Sequence, residues 1–166
     1  KLLGGPQAGI ILGSEILLKL IRKHPLARAV RADKTCLAGL QATLTHYLKD
    51  EFEQKIPVWQ MISMSTDLIN QRAETWQSEM KMGEVKDGLS TIGGGSLPGE
   101  TLPTRLWVIS VRSPQAFLSL LRNLATPIIA RIENDKVVFD PRTIFLEQDE
   151  LFIGLIKQVL NQGDQK

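Results

Sequence analysis

The feature that most constrains this chain is a change of period at Gly83. From Ser14 to Lys81, apolar residues recur at spacings of three and four, as on the buried stripe of amphipathic helices. After Gly83, β-branched and aromatic residues gather into short runs separated by Gly, Pro, Asn and Asp, as in strands and turns. A chain divided in this way predicts a largely helical first part. The second part is predicted as a small sheet with helices on one face. The parts are placed at residues 1–64, 65–82 (a long connecting helix opened by Ser65-Thr66-Asp67) and 83–166 (a small α+β domain).

Start and stop signals set the individual elements. Ser14 caps a helix with Ile16, Leu17, Leu20 and Ile21 on one face, and His24-Pro25 ends it because the residue before proline leaves the α region. Leu26–Asp33 reads as a connector. A second helix spans roughly Lys34–Leu48, with Leu37, Leu40, Leu44, Tyr47 and Leu48 on its stripe. Lys49–Lys55 reads as a loop, and Pro57 opens a third helix. In the second part, Glu84–Gly88 and Thr104–Val111 read as strands, and Ser113-Pro114 opens a helix. Pro127–Glu133 and Val137–Phe139 form a hairpin around Asn134-Asp135, whose second strand is expected to resume at Thr143. A last helix starts near Gln148.

The chain opens with Lys1-Leu-Leu-Gly-Gly-Pro-Gln-Ala-Gly-Ile-Ile-Leu-Gly13. Gly4 and Gly5 permit a tight turn and close approach of another group, and Pro6 fixes the exit. Ala8–Leu12 is apolar without alternation and predicts a short strand buried on both faces. Lys1 has two readings at this point. It is either a solvated residue or an amine whose burial lowers its pKa and frees a nucleophile.

Charge supplies the next constraint. The net charge of +2 conceals eight Lys/Arg against three Asp/Glu in residues 1–50, and twelve against fifteen in the remainder. Within Lys19–Lys34 alone, six cations face the single acid Asp33. Such a stretch favours an anionic ligand. Arg28 and Arg31, set among alanines, have the fork geometry for phosphate, although a solvated basic helix end has the same composition. One cysteine, Cys36, leaves no internal disulfide and fits a reducing, cytoplasmic setting. No run is long enough to span a bilayer, so no membrane partner is expected. His24 and His46 have no acid or cysteine at ligand spacing, and no metal site is expected. Gly93-Gly94-Gly95-Ser96 lacks the Lys-Ser/Thr that completes a phosphate-binding P-loop.

Three of these segments resemble one family. Lys1-Leu-Leu-Gly-Gly-Pro-Gln-Ala-Gly-Ile is similar to the cofactor-lysine segment of bacterial selenocysteine synthases, in which an Asp precedes the lysine; here nothing precedes Lys1. His24-Pro-Leu-Ala-Arg28-Ala-Val-Arg31-Ala-Asp33-Lys34 matches that family's His-Pro-Leu-x-Arg-Ala-x-Arg-x-Asp-Lys pattern, and Gly93–Pro98 resembles its Gly-Gly-Gly-Ser-Leu-Pro loop. The resemblance implies an α/β fold: the C-terminal part of an aspartate-aminotransferase-like (fold type I) enzyme. Residues 1–64 would end the large cofactor domain.

It also implies pyridoxal 5'-phosphate as cofactor, carried by Lys1 as a Schiff base, with Lys1 as the catalytic residue. Arg28 and Arg31 would bind selenophosphate. The implied reaction converts seryl-tRNA(Sec) to selenocysteinyl-tRNA(Sec) through a dehydroalanyl intermediate, in a cytoplasmic homo-oligomer built as a ring of dimers. The chain is then expected to be a C-terminal piece that neither binds the cofactor tightly nor turns over alone. Two other functions fit parts of the sequence. One is a pyridoxal-phosphate lyase acting on a phosphorylated amino sugar acid or small amino acid. The other is a non-catalytic module that binds RNA through the basic 19–34 face.

Overall fold

The computed structural model describes residues 2–93 and 97–163. The chain forms two compact units, residues 1–60 and 61–166. The first is helical: α1 (Glu15–Lys23), α2 (Pro25–Ala29), α3 (Lys34–Leu48), α4 (Phe52–Lys55) and α5 (Pro57–Ser63), the last running across the division. Its starts follow the caps. Ser14 Oγ accepts from Leu17 N at 3.5 Å, and Asp33 Oδ1 accepts from Cys36 N at 2.7 Å. The connector predicted at 26–33 and the loop predicted at 49–55 each contain a short helix, α2 and α4.

The Ala8–Leu12 prediction is overturned. These residues form no strand, and Ile11 and Leu12 are 65% and 89% exposed. A strand buried on both faces needs ladder partners on each side, and none of the described residues supplies one. The apolar face of α1 is open as well, with Ile16, Leu17, Leu20 and Ile21 all exposed.

The second unit is a small α/β domain. It contains α6 (Thr66–Met80), β1 (Glu84–Thr91), β2 (Thr101–Ile109), α7 (Pro114–Arg122), β3 (Arg131–Glu133), β4 (Lys136–Phe139) and α8 (Asp149–Gly163). The strands form one antiparallel sheet in the order β1-β2-β4-β3. Register puts Trp107 opposite Phe139 and Ile109 opposite Val137 on the face that meets the helices. There they pack with Trp76 of α6, Phe117, Leu118 and Leu121 of α7, and Phe152, Ile156 and Val159 of α8. Leu106, Val108 and Val138 make a smaller buried cluster, set on the opposite side by the strand period. Asn134 and Asp135 both have positive φ, 49° and 58°, as a two-residue type I′ hairpin requires. α6 packs on β1, β2 and α8.

The predicted resumption of strand at Thr143 is also replaced. Asp140 Oδ1 accepts from Arg142 N at 3.0 Å, and Pro141–Thr143 turns into a 3-10 helix. The carbonyls of this turn and of Ile144 also meet a buried arginine. Arg72, 4% exposed on the inner stripe of α6, donates to Pro141 O at 2.6 Å and Ile144 O at 2.9 Å. Its Nε and Nη2 also hold Asp149 at 2.8 and 2.6 Å, a two-pronged pair that fixes the start of α8. Arg142 is spent similarly, donating to Met61 O at 2.9 Å, Met64 O at 3.1 Å and Pro103 O at 2.6 Å. Burial pulls its guanidinium below the usual arginine range, with Asp140 opposing that shift.

Arg72→Met removes one partner of a mostly buried pair and the side-chain donor to the Pro141 and Ile144 carbonyls. The expected loss is about 3 kcal/mol, read as a lower urea midpoint for the 166-residue chain. The open apolar surface over residues 10–21 predicts concentration-dependent self-association of the same chain in sedimentation velocity, reduced by Leu12→Glu combined with Leu20→Glu.

Candidate active site

The first unit carries the segment that follows Lys1. Lys1 itself lies outside the described residues, as do Gly94, Gly95 and Ser96 of the glycine loop. From Leu2 onward the chain is laid against α3 and the residues around Ile56. Gly4 has φ +77°, and a Cβ there would overlap Cγ2 of Ile56. A Cβ on Gly5 would stand 2.7 Å from Thr43 Oγ1. The Gly-Gly pair is therefore fixed by contact as well as by backbone conformation. Pro6 lies against Gly39, and Cys36 Sγ is 3.8 Å from Gln7 O.

The carbonyls of this turn meet a side chain. Tyr47 Oη donates to Leu3 O at 3.1 Å and lies 3.4 Å from Leu2 O, while it accepts from Trp59 Nε1 at 2.6 Å. Phe52 stacks on the Tyr47 ring with centroids 5.0 Å apart and meets Trp59 edge-on at 5.3 Å. Sequence reasoning places Tyr47 on an apolar stripe and misses its hydroxyl. The available signal was one tyrosine among leucines, because a half-buried phenol needs a partner. At the end of α3, His46 Nδ1 lies 2.8 Å from Glu51 Oε1, and that contact is the main cause holding the Glu51 carboxyl below its ordinary range.

Arg28 and Arg31 are both exposed, and no hydrogen bond or ion pair among the described residues engages either guanidinium. The neighbours that complete their sequence pattern act locally. His24 Nδ1 accepts from Leu26 N at 3.2 Å and caps α2, and Asp33 caps α3. The two caps bracket the arginines and leave them unspent. Lys19, by contrast, pairs with Glu15 at 2.8 Å. In the second unit, a cleft of about 480 Å³ is lined mainly by apolar side chains such as Ile128, Ile144, Leu151 and Leu155. Its buried Asp140 is already committed to Ser90 Oγ at 2.5 Å and Thr104 Oγ1 at 2.9 Å. Among the described residues, Arg28 and Arg31 offer uncommitted charge, as do Arg22, Lys23 and Lys34 of the same basic stretch.

The family model described as L-seryl-tRNA selenium transferase matches residues 1–145. Among curated proteins, the chain is 40% identical over 172 residues to the L-seryl-tRNA(Sec) selenium transferase of Alkaliphilus oremlandii, covering 96% of this chain and 36% of that protein. It is 39% identical to the protein of that name from Alkaliphilus metalliredigens, covering 92% of this chain and 34% of the relative. For the Aquifex aeolicus protein the identity is 37%, with 97% and 37% covered. The chain thus spans little more than a third of the length of these relatives.

The turn itself is open to test. Gly4→Ala forces a side chain into the left-handed region, at about 1–2 kcal/mol before its overlap with Ile56 is counted. The expected result is a lowered melting temperature with faster amide exchange in residues 3–7 by mass spectrometry.

Proposed function

The chain belongs to the L-seryl-tRNA selenium transferase family, and on that premise we propose that the enzyme containing it converts seryl-tRNA(Sec) to selenocysteinyl-tRNA(Sec) with selenophosphate as selenium donor. In this reading Lys1 holds pyridoxal 5'-phosphate, and Arg28 and Arg31 bind the donor. Residues 1–64 end the large domain of a fold type I enzyme, 65–82 form the helix leading into the small domain, and 83–166 complete it. The enzyme works as a homo-oligomer.

The observation that carries the site assignment is the pair of unspent guanidiniums between two local caps. Exposed arginines without acid partners keep their full donor capacity for a phosphate group, and two forks match the three oxygens of such an anion. The residues present also suit the cofactor. A primary amine stands immediately before a turn that contact and hydrogen bonding fix at Leu3, Gly4 and Gly5. When bound, the cofactor supplies an electron sink for the pair left on the substrate Cα. Lys1 supplies the amine that anchors it and, once free, a base at Nζ for the Cα proton. Arg28 and Arg31 compensate the donor's charge, so that its approach needs no further cation from the substrate.

In the full-length enzyme, Lys1→Ala is expected to abolish both the visible band of lysine-bound cofactor and selenium incorporation. Arg28→Ala and Arg31→Ala are each expected to raise the KM for selenophosphate tenfold or more while leaving that band intact, with poor rescue by lysine. Full turnover by Lys1→Ala would overturn the assignment of the lysine. An unchanged KM in both arginine variants would overturn that of the donor site.

A further inference from the structure

We infer that Tyr47 is a positioning residue for Lys1, acting through the backbone that follows it; this rests on the reading of Lys1 as the cofactor lysine. The phenol has one proton to give and is restrained on every other side. Its oxygen accepts from Trp59 Nε1 at 2.6 Å, so the acceptor side is occupied. Its ring is stacked on Phe52, which in turn meets Trp59 edge-on. The O–H is left to point at the carbonyls of Leu3, at 3.1 Å, and Leu2, at 3.4 Å, two and one residues beyond Lys1.

Packing alone does not require this hydroxyl. The α3 stripe is otherwise built from leucines, and a half-buried phenol costs free energy unless it is paired. The same turn is also closely packed, because Gly4 and Gly5 have no room for a Cβ against Ile56 and Thr43. The turn is held by steric contact together with a directed hydrogen bond. A lysine that must present its amine to one carbon of a cofactor gains from such a fixed exit, since reactive groups need placement to within a fraction of an ångström.

The test compares Tyr47→Phe with Phe52→Leu in the full-length enzyme. Tyr47→Phe keeps the ring and loses the hydroxyl, whereas Phe52→Leu loosens the aromatic cluster and keeps it. Tyr47→Phe is expected to weaken pyridoxal 5'-phosphate binding about tenfold and to reduce the visible circular dichroism of the bound cofactor at least twofold, since that signal reports orientation. Phe52→Leu is expected to lower the melting temperature while leaving affinity and dichroism within twofold of wild type. If Tyr47→Phe does not accumulate as folded protein, Trp59→Phe, which removes the donor to Tyr47, carries the same expectation. Unchanged dichroism and affinity in Tyr47→Phe (or in Trp59→Phe when it stands in), or equal losses in Phe52→Leu, would overturn the positioning role. A wild-type enzyme with no visible band that borohydride fixes on Lys1 would instead overturn the reading beneath it.

Discussion

Backbone carbonyls in turns and at the ends of elements must still find donors, and in this chain long polar side chains supply several of them. In the second unit, Arg72 reaches from α6 to Pro141 O and Ile144 O, and Arg142 reaches to Met61 O, Met64 O and Pro103 O. In the first, Tyr47 reaches from α3 to the turn at Leu2 and Leu3. The carbonyls served lie in turns, as at Leu2 and Leu3, at the end of α5, as at Met61, and in the 3-10 turn at Pro141, where Ile144 N also donates. The start of α8 is pinned through Asp149 to Arg72.

That economy separates two classes of arginine. Arg72 and Arg142 are buried and committed to carbonyls, Arg72 also to a carboxylate, while Nε of Arg142 is buried without a partner among the described residues. Arg131 is tied to Glu133 at 2.6 Å. Arg28 and Arg31 are exposed and unengaged among the described residues, even though Asp33 stands two positions from Arg31. Asp33 Oδ1 instead caps α3 at Cys36 N, a local use that charge counting along the sequence does not reveal.

The same logic explains what was legible beforehand. Helix starts at Ser14, Asp33 and Ser65 and the Asn134-Asp135 turn are governed by neighbours within three residues, and they appear where the pattern puts them. The inner faces of α6, α7 and α8 follow from periodicity, although Arg72 lies on the buried stripe of α6 where a charge is least expected. Ala8–Leu12 was misread because an apolar run shows a demand for burial without naming what provides it. Thr143-Ile-Phe was misread because β-branched content weighed more than Asp140-Pro141, whose side-chain cap bends the chain into a 3-10 turn. Tyr47 was hidden because its partner carbonyls lie 44 and 45 residues away in sequence.

The proposed site divides along the same line. The residues proposed for its chemistry are local in sequence: a lysine, two arginines and the residues that give them a recognisable spacing. Their control is not local. The turn after Lys1 is set by Thr43, Tyr47 and Ile56, and the Tyr47 hydroxyl is oriented by Trp59. Asp33, beside the proposed anion-binding pair, caps α3, the helix that also carries Tyr47. α3 is therefore the common support of both halves of the proposed site, and a perturbation in its middle would reach both with neither proposed reacting group touched.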